Sequence, residues 1–245
     1  MEISFKGKTA LVTGATTGIG REIAKKLIQC GADVIAMGIS QHDLDLFQKE
    51  YPSLRTVEVD LRDWNATKDA LKKFDAIDLL VNNAGVAILD SVVNISEKSV
   101  DETFAVNVKS LINLTQVVAK NLIARKMPGS IVNISSQGSM RAMADHGVYC
   151  ASKAAVDGFT RVSAMELGPH NIRVNTVNPT VVMTDLGRMA WSDPTKADPL
   201  KNKIPLRRFA EINDVVDVVM FLLSDKASMV NGVSLPVDGG CTAVL

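Results

Sequence analysis

The feature that most constrains this chain is a rhythm. Short runs rich in β-branched residues alternate with longer helix-like segments from one end of its 245 residues to the other. Thr9–Thr13, Asp33–Met37, Arg55–Asp60, Leu79–Asn82, Ser130–Ser135, Arg173–Asn178 and Val233–Val237 read as strands. Between them Ile19–Cys30, Gln41–Glu50, Trp64–Phe74, Val100–Arg125, Tyr149–Leu167 and Ile212–Leu223 read as helices. Such alternation predicts right-handed βαβ units and a parallel sheet. The runs "ALVT", "LLVN" and "SIVNIS" are apolar on both sides, as a sheet covered by helices on each face requires. With 47% hydrophobic residues but only 4% aromatic, the core must be aliphatic. No repeat or low-complexity linker divides the chain. The expectation is one α/β domain over residues 1–245, built on a doubly wound parallel sheet.

Residues 183–208 break the rhythm. They hold Trp191, Pro194, Pro199 and Pro205 and show no strong helical period. A long connection that follows a strand's C-terminal end reads as a lid over a ligand. Lys+Arg and Asp+Glu balance at 27 each, so no basic field recruits nucleic acid and no polybasic run meets a membrane. No apolar run is long enough to span a bilayer. Cys30, Cys150 and Cys241 have no metal-like spacing and fit a reducing compartment, so the expected location is cytoplasmic and no metal site is expected.

After the first strand, "ALVTGATTGIGREIAKKL" runs strand, glycine-rich turn, helix. Gly14, Gly18 and Gly20 allow a tight turn and close approach to a phosphate, with the N–H groups of the helix start pointing at it. The spacing is G-x-x-x-G-x-G rather than G-x-G-x-x-G, and taken alone a plain βα turn would read the same way. Thr13-Gly14-Ala15-Thr16-Thr17-Gly18-Ile19-Gly20, then Asn82-Asn83-Ala84-Gly85 and Tyr149-Cys150-Ala151-Ser152-Lys153, together resemble the short-chain dehydrogenase/reductase family in order and spacing. The resemblance implies a Rossmann fold, a nicotinamide cofactor and a catalytic set of Asn107, Ser136, Tyr149 and Lys153. It also implies cofactor contacts from Gly14, Thr16, Thr17, Gly18, Ile19 and Gly20, and from Ile39 and Ser40. Further contacts would come from Asp60 and Leu61, from Asn82, Asn83, Ala84 and Gly85, and from Pro179, Val182 and Thr184.

The chemistry supports these roles. Tyr149 and Lys153 lie four apart at a helix start and share a face. Reducing a ketone leaves an alkoxide that needs a proton, which a tyrosine hydroxyl can supply. Acting near neutrality would require lowering its pKa from about 10 by roughly 3 units, on the order of 4 kcal/mol, with Lys153 and the positive nicotinamide of the oxidised cofactor as the source. Taken alone, any Tyr-x-x-x-Lys is more often an exposed helix pair. Ser136 ends an apolar strand, where such sheets place ligands, and can hydrogen-bond the substrate oxygen; Ser135 competes, and the resemblance selects Ser136. Asn107 sits mid-helix, a poor place for asparagine. In the family the matching residue holds a water in a proton relay.

"DLLVNNAGVAIL", "NLIARKMPGSIVNISSQ", "MELGPHNIRVNTVNPTVVMT", "WSDP" and "IPLRRFAEINDVV" resemble the dicarbonyl/L-xylulose reductases of that family, although the residues after Gln137 and the final "CTAVL" differ. This implies a homotetramer that uses NADPH to reduce small polar carbonyls, L-xylulose to xylitol and α-dicarbonyls such as diacetyl. Gln137 and His146 could hydrogen-bond hydroxyls beside Tyr149, with Met143 and Trp191 as an apolar wall. His146 as a surface residue and Trp191 as local packing remain equal readings. The alternatives are a steroid, retinoid or 3-oxoacyl thioester reductase, or a non-catalytic scaffold that binds NADP.

The second strand ends Met37-Gly38-Ile39-Ser40. An acidic residue there binds the ribose 2′-hydroxyl of NAD, whereas an arginine accommodates the 2′-phosphate of NADP. Neither is present. A phosphate could be held by Ser40, by amides of the helix at Gln41, and by Arg21 or Thr17. NADP(H) is the expected cofactor, and NAD(H) stays open.

Overall fold

The strands form where the apolar runs place them: β1 (Thr9–Thr13), β2 (Asp33–Gly38), β3 (Arg55–Glu58), β4 (Leu79–Asn82), β5 (Gly129–Ile134), β6 (Ile172–Pro179) and β7 (Ser234–Val237). In the computed structural model, which describes residues 2–244, they pair in parallel in the order β3-β2-β1-β4-β5-β6-β7. The helices are α1 (Gly18–Gln29), α2 (Gln41–Glu50), α3 (Trp64–Leu71), α4 (Glu97–Phe104), α5 (Ser110–Arg125), α6 (Gly147–Leu167), α7 (Asp185–Ala190), α8 (Pro194–Lys201) and α9 (Ile212–Leu223). Among the described residues, no helix is long and apolar enough to cross a membrane.

Strand alternation sorts the core into two layers. Ala10 and Val12 of β1 join Ile23 and Leu27 of α1 and Val215 and Val219 of α9 on one face. Leu11, between them, packs with Leu114, Val118 and Leu122 of α5 on the other. A side chain buried as completely as Leu11 contributes about 1.5–3 kcal/mol over leaving it in water. Both faces of the sheet are therefore closed, and function is left to the strand ends.

Those ends have a built-in opening. β1 has β2 on one side and β4 on the other, so successive crossovers leave β1 in opposite directions. Open α/β sheets bind ligands in the crevice this reversal makes, outside the carboxyl ends of the strands.

Apart from shifts of one or two residues at the ends of other elements, the structure departs from the sequence expectation in four segments. The segment expected as one helix over Val100–Arg125 starts at Glu97, where the Ser96 hydroxyl accepts from Ser99 N, and is interrupted by a π turn over Ala105–Lys109. Residues 183–208, which show no helical period, hold α7 and α8. These helices start on caps rather than on an apolar stripe: the Thr184 hydroxyl accepts from Gly187 N, and the Asp193 carboxylate accepts from Thr195 N ahead of Pro194 at the first helical position. The strand expected over Arg55–Asp60 and the helix over Trp64–Phe74 stop sooner, at Glu58 and Leu71.

Candidate active site

The glycine turn is held by its neighbour across the crevice. Thr13 Oγ1 accepts from the backbone N–H groups of Asn83 and Ala84, both at 3.0 Å. The Asn83 amide donates back to the carbonyls of Thr13 at 3.0 Å and Gly14 at 3.1 Å. Gly14 and Gly18 take the left-handed backbone conformation, with φ of 59° and 55°. A Cβ on Gly20 would stand 2.3 Å from the Gly14 carbonyl oxygen, so glycine is required at that close approach. The Thr17 side chain caps nothing, which leaves the first amides of α1 open to a ligand. Asn82 departs from the expectation. Its side chain is buried between β4 and β5, donating to Asn133 Oδ1 at 2.8 Å, so Asn83 is the residue that faces the turn.

Two cavities meet along this crevice. The first, of about 450 Å³, brings together Gly14, Thr16, Ile39, Asp60, Leu61, Ala84 and Gly85. Arg62 and Glu102 also line it. Arg62 forks onto Asp60, with Nη2 2.6 Å from Oδ2, and this pairing holds the Asp60 carboxyl below the usual carboxylate range. Arg21 is likewise committed, paired with Glu50 and stacked 4.1 Å over the Phe47 ring. Ser40 caps α2 by accepting from Asp43 N. Ile39 is 65% exposed at the rim. A Cβ on Gly38 would lie 2.9 Å from Thr16 Cγ2, so this strand end has no room for the acidic side chain that marks NAD sites unless Thr16 moves.

The second cavity, of about 240 Å³, joins Ile19 and Asn83 to Ser136, Tyr149, Lys153, Pro179 and Val182. Thr184 closes the cofactor set from above, its Cγ2 being 3.3 Å from where a Gly18 Cβ would stand. Ser135 and Ser136 separate cleanly. The Ser135 hydroxyl donates to the Lys153 carbonyl at 3.2 Å, whereas Ser136 Oγ accepts from Gly138 N and lies beside the Tyr149 ring. Burial pushes the Tyr149 hydroxyl up from its ordinary value, and the Ser136 hydroxyl pulls it back. This is opposite to the lowering expected from Lys153 with the oxidised nicotinamide, and burial is its largest cause. Lys153 Nζ donates to the Ile134 carbonyl at 2.8 Å and lies 5.7 Å from the centroid of the Tyr149 ring. Burial lowers the Lys153 ammonium to about 8, with the Asp157 carboxylate opposing that fall.

Asn107 stands in the π turn with its side chain fully engaged. Oδ1 accepts from Val86 N at 2.8 Å, and Nδ2 donates to Val86 O at 2.9 Å and Ser152 Oγ at 3.0 Å. It thus ties the segment that follows β4 to the start of α6. Gln137, Met143 and His146 cluster on the Tyr149 side, outside the smaller cavity: Gln137 Nε2 reaches Met143 Sδ at 3.8 Å, and the His146 ring stands edge-on to Tyr149 at 6.1 Å. Gln137 Oε1 is buried without a partner. Trp191 takes the packing alternative, tilted against Phe209 at 5.4 Å, and does not line the cavity. Two residues that sequence reasoning passed over stand in or behind the site, Arg62 on the larger cavity and Asp157 beneath Asn178. Arg62 adjoins the acid it pairs with, and Asp157 continues the four-residue spacing of Tyr149 and Lys153.

A family model described as enoyl-(acyl carrier protein) reductase matches residues 14–242. The L-xylulose reductase of Bos taurus is 52% identical over 243 residues, covering 99% of this chain and 100% of that protein. The D-erythrulose reductase of Gallus gallus is 50% identical over 239 residues, covering 98% of this chain and 97% of that one. Among solved structures, a gluconate 5-dehydrogenase from Burkholderia cenocepacia in complex with NADP and tartrate superposes with a TM-score of 0.94 at 27% identity, covering 100% of this chain and 98% of the other.

Proposed function

The chain belongs to the short-chain dehydrogenase/reductase family and is an oxidoreductase that acts on CH–OH groups, and we propose that its substrates are small polar carbonyls reduced with NADPH. L-Xylulose, reduced to xylitol, and α-dicarbonyls such as diacetyl are the proposed substrates. The observation that carries the reading is the meeting of Ser136, Tyr149 and Lys153 on one small cavity continuous with the glycine turn. The turn fits a dinucleotide: Gly14 and Gly18 hold it in the left-handed conformation, Gly20 keeps it tight, and α1 presents amides that no side chain caps. A bound nicotinamide supplies the hydride. The protein's own part is to hold the carbonyl and deliver a proton. Ser136 donates to the carbonyl oxygen and Tyr149 gives its hydroxyl proton to the same atom as charge develops on it. Tyr149 is pushed upward by burial, so it stays protonated at neutral pH, the state an acid needs. The Lys153 ammonium steadies the tyrosinate left behind. Gln137, Met143 and His146 are proposed to meet the rest of the substrate; the unpartnered Gln137 Oε1 suits a hydroxyl-bearing ligand. The proposed lid is the 183–208 segment, whose Trp191 packs locally on Phe209.

NADP(H) remains the first reading, supported by a strand end that carries Gly38 and Ile39 and no acidic side chain to repel a 2′-phosphate. A second reading, NAD(H), is favoured by Arg21 and Arg62 both being committed to carboxylates. A homotetramer is also proposed, since Ile123 on α5 and Val162 and Met165 on α6 leave apolar surface exposed. The test is a cofactor-oxidation assay with NADPH and NADH against L-xylulose, diacetyl, a steroid ketone, a retinal and a 3-oxoacyl thioester. Faster turnover of any of the last three would overturn the substrate class, and no turnover with any of them would favour a scaffold.

A further inference from the structure

Tyr149, Lys153 and Asp157 recur at every fourth residue of α6, which stacks them along one face of the helix. Asp157 has no part in the proton transfer described above. It is nevertheless only 6% exposed, and a buried carboxylate without a counter-charge is costly. One amide serves it: Asn178 Nδ2 lies 3.0 Å from Oδ2 and 3.3 Å from Oδ1. Among the described residues, no cation comes within ion-pair distance of it. The same Asn178 amide lies 2.9 Å from Ser139 Oγ and 3.3 Å from the carbonyl of Ser136, and its Oδ1 accepts from Thr176 Oγ1 at 2.8 Å. Lys153 is the opposite case, a cation 4% exposed whose acceptor is the neutral carbonyl of Ile134. These are two buried charges of opposite sign, one helical turn apart, each with neutral partners.

We propose that Asp157 is a positioning residue for the reductase chemistry: its carboxylate is the counter-charge of the buried Lys153 ammonium and, through Asn178, fixes the backbone that carries Ser136. This rests on the roles given above to Ser136, Tyr149 and Lys153. The surroundings single out Asp157. Packed on α6, β5 and β6 present Asn133, Thr176 and Asn178, the turn after Ser136 presents Gln137 and Ser139, and the π turn presents Asn107; none of these titrates. Glu97, Lys98, Asp101, Lys109 and His170 on the flanking segments are exposed. Glu102 lines the adenosine cavity, and Arg173, at the far end of β6, caps carbonyls at the end of α9. On α6 itself the other titratable neighbours are Tyr149, Cys150 and Arg161; Arg161, one turn further on, is exposed and makes no ion pair with Asp157.

Asp157→Asn keeps the shape and removes the charge. Without its counter-charge Lys153 should lose its proton more readily, so the alkaline limb of kcat/KM for carbonyl reduction should move to lower pH by about one unit. Asp157→Glu should restore at least part of the limb. An unchanged pH profile accompanied only by a lower melting temperature would make Asp157 a packing residue and overturn the proposal. A melting cycle of Lys153→Met, Asp157→Asn and the double variant covers the case in which Asp157→Asn does not fold alone. The double variant should be more stable than Asp157→Asn, whereas additive losses would overturn the coupling. The cycle needs no turnover, so failure of the reductase reading, seen as full activity in Tyr149→Phe, stays distinguishable from failure of this one.

Discussion

Gly20→Ala loads the tightest point of the glycine turn. Its Cβ would stand 2.3 Å from the Gly14 carbonyl oxygen and 2.4 Å from Asn83 Nδ2, distances at which something must shift. Neither neighbour is free to retreat. Gly14 is backbone in a left-handed conformation, and the Asn83 amide is held by the Thr13 and Gly14 carbonyls at 3.0 and 3.1 Å. Relief requires breaking those two bonds, at roughly 0.5–1.5 kcal/mol each. It also requires moving α1 off β1, and overpacking of that kind costs roughly 1–3 kcal/mol. The better helix propensity of alanine returns roughly 0.5–1 kcal/mol. The expected net loss is therefore about 1–5.5 kcal/mol, together with weaker cofactor binding, because the displaced groups wall the proposed phosphate site. Urea unfolding gives the first quantity and calorimetric titration with NADPH the second. Gly158→Ala is the control. It lies within α6 with only Arg161 Nη2 within 4 Å of the new atom, at 3.9 Å, and should gain about 0.5–1 kcal/mol. If Gly20→Ala unfolds at the wild-type urea concentration and binds NADPH with wild-type affinity, the packing argument for the turn is wrong.

Tyr149→Phe should lower kcat at least about 100-fold while the Kd for NADPH changes little, as steady-state kinetics and titration will show. Ile39→Arg should favour NADPH by roughly 1.5–3 kcal/mol, about ten- to a hundredfold in the ratio of kcat/KM values for the two cofactors, because a free guanidinium would enter a rim whose other cations are engaged. Lys153 makes a prediction about pH. Its folded pKa, about 8, lies below the ordinary 10.5, so between these values the unfolded chain binds more protons. Its contribution to stability should thus rise with pH across that window, by roughly 2–3 kcal/mol in all. Urea midpoints at pH 8 and pH 10 should show that rise in the wild type and not in Lys153→Met.

What is legible in the sequence follows from which forces are local. The strands are legible because burial on both faces leaves unbroken apolar runs, and α2 and α9 because an apolar stripe and a capping residue agree on their limits. α7 and α8 escape a reading based on period, since neither has an apolar stripe; Thr184 and the Asp193-Pro194 pair mark their starts instead. At the site, Tyr149 and Lys153 are legible through the family resemblance, since their spacing alone reads as an exposed helix pair, and the same resemblance selects Ser136 over Ser135 for a reason that only the fold displays. Adjacent residues at a strand end point to opposite sides, which puts Ser135 against the α6 backbone and Ser136 beside the tyrosine. The commitment of Arg21 to Glu50 spans 29 positions, and no local pattern announces it. Asp157 illustrates the opposite failure: its spacing is in plain view, but an aspartate within a helix reads as surface until burial is known.

At Ala105–Lys109 the molecule resists shortening at the very point where shortening would tidy its backbone. A π turn holds one residue more than an α turn can accommodate, so deleting Ala105 or Val106 would let α4 and α5 run together as one regular helix. Each residue of an α-helix turns the chain by about 100°. Leu114, Val118 and Leu122 lock α5 into the core, so the turn would fall on α4 and on Asn107, swinging its amide away from Val86 and Ser152. The shortened chain would possess a more regular helix and a worse enzyme, and loss of turnover in a chain that still melts cooperatively, at a lower temperature, would mark it.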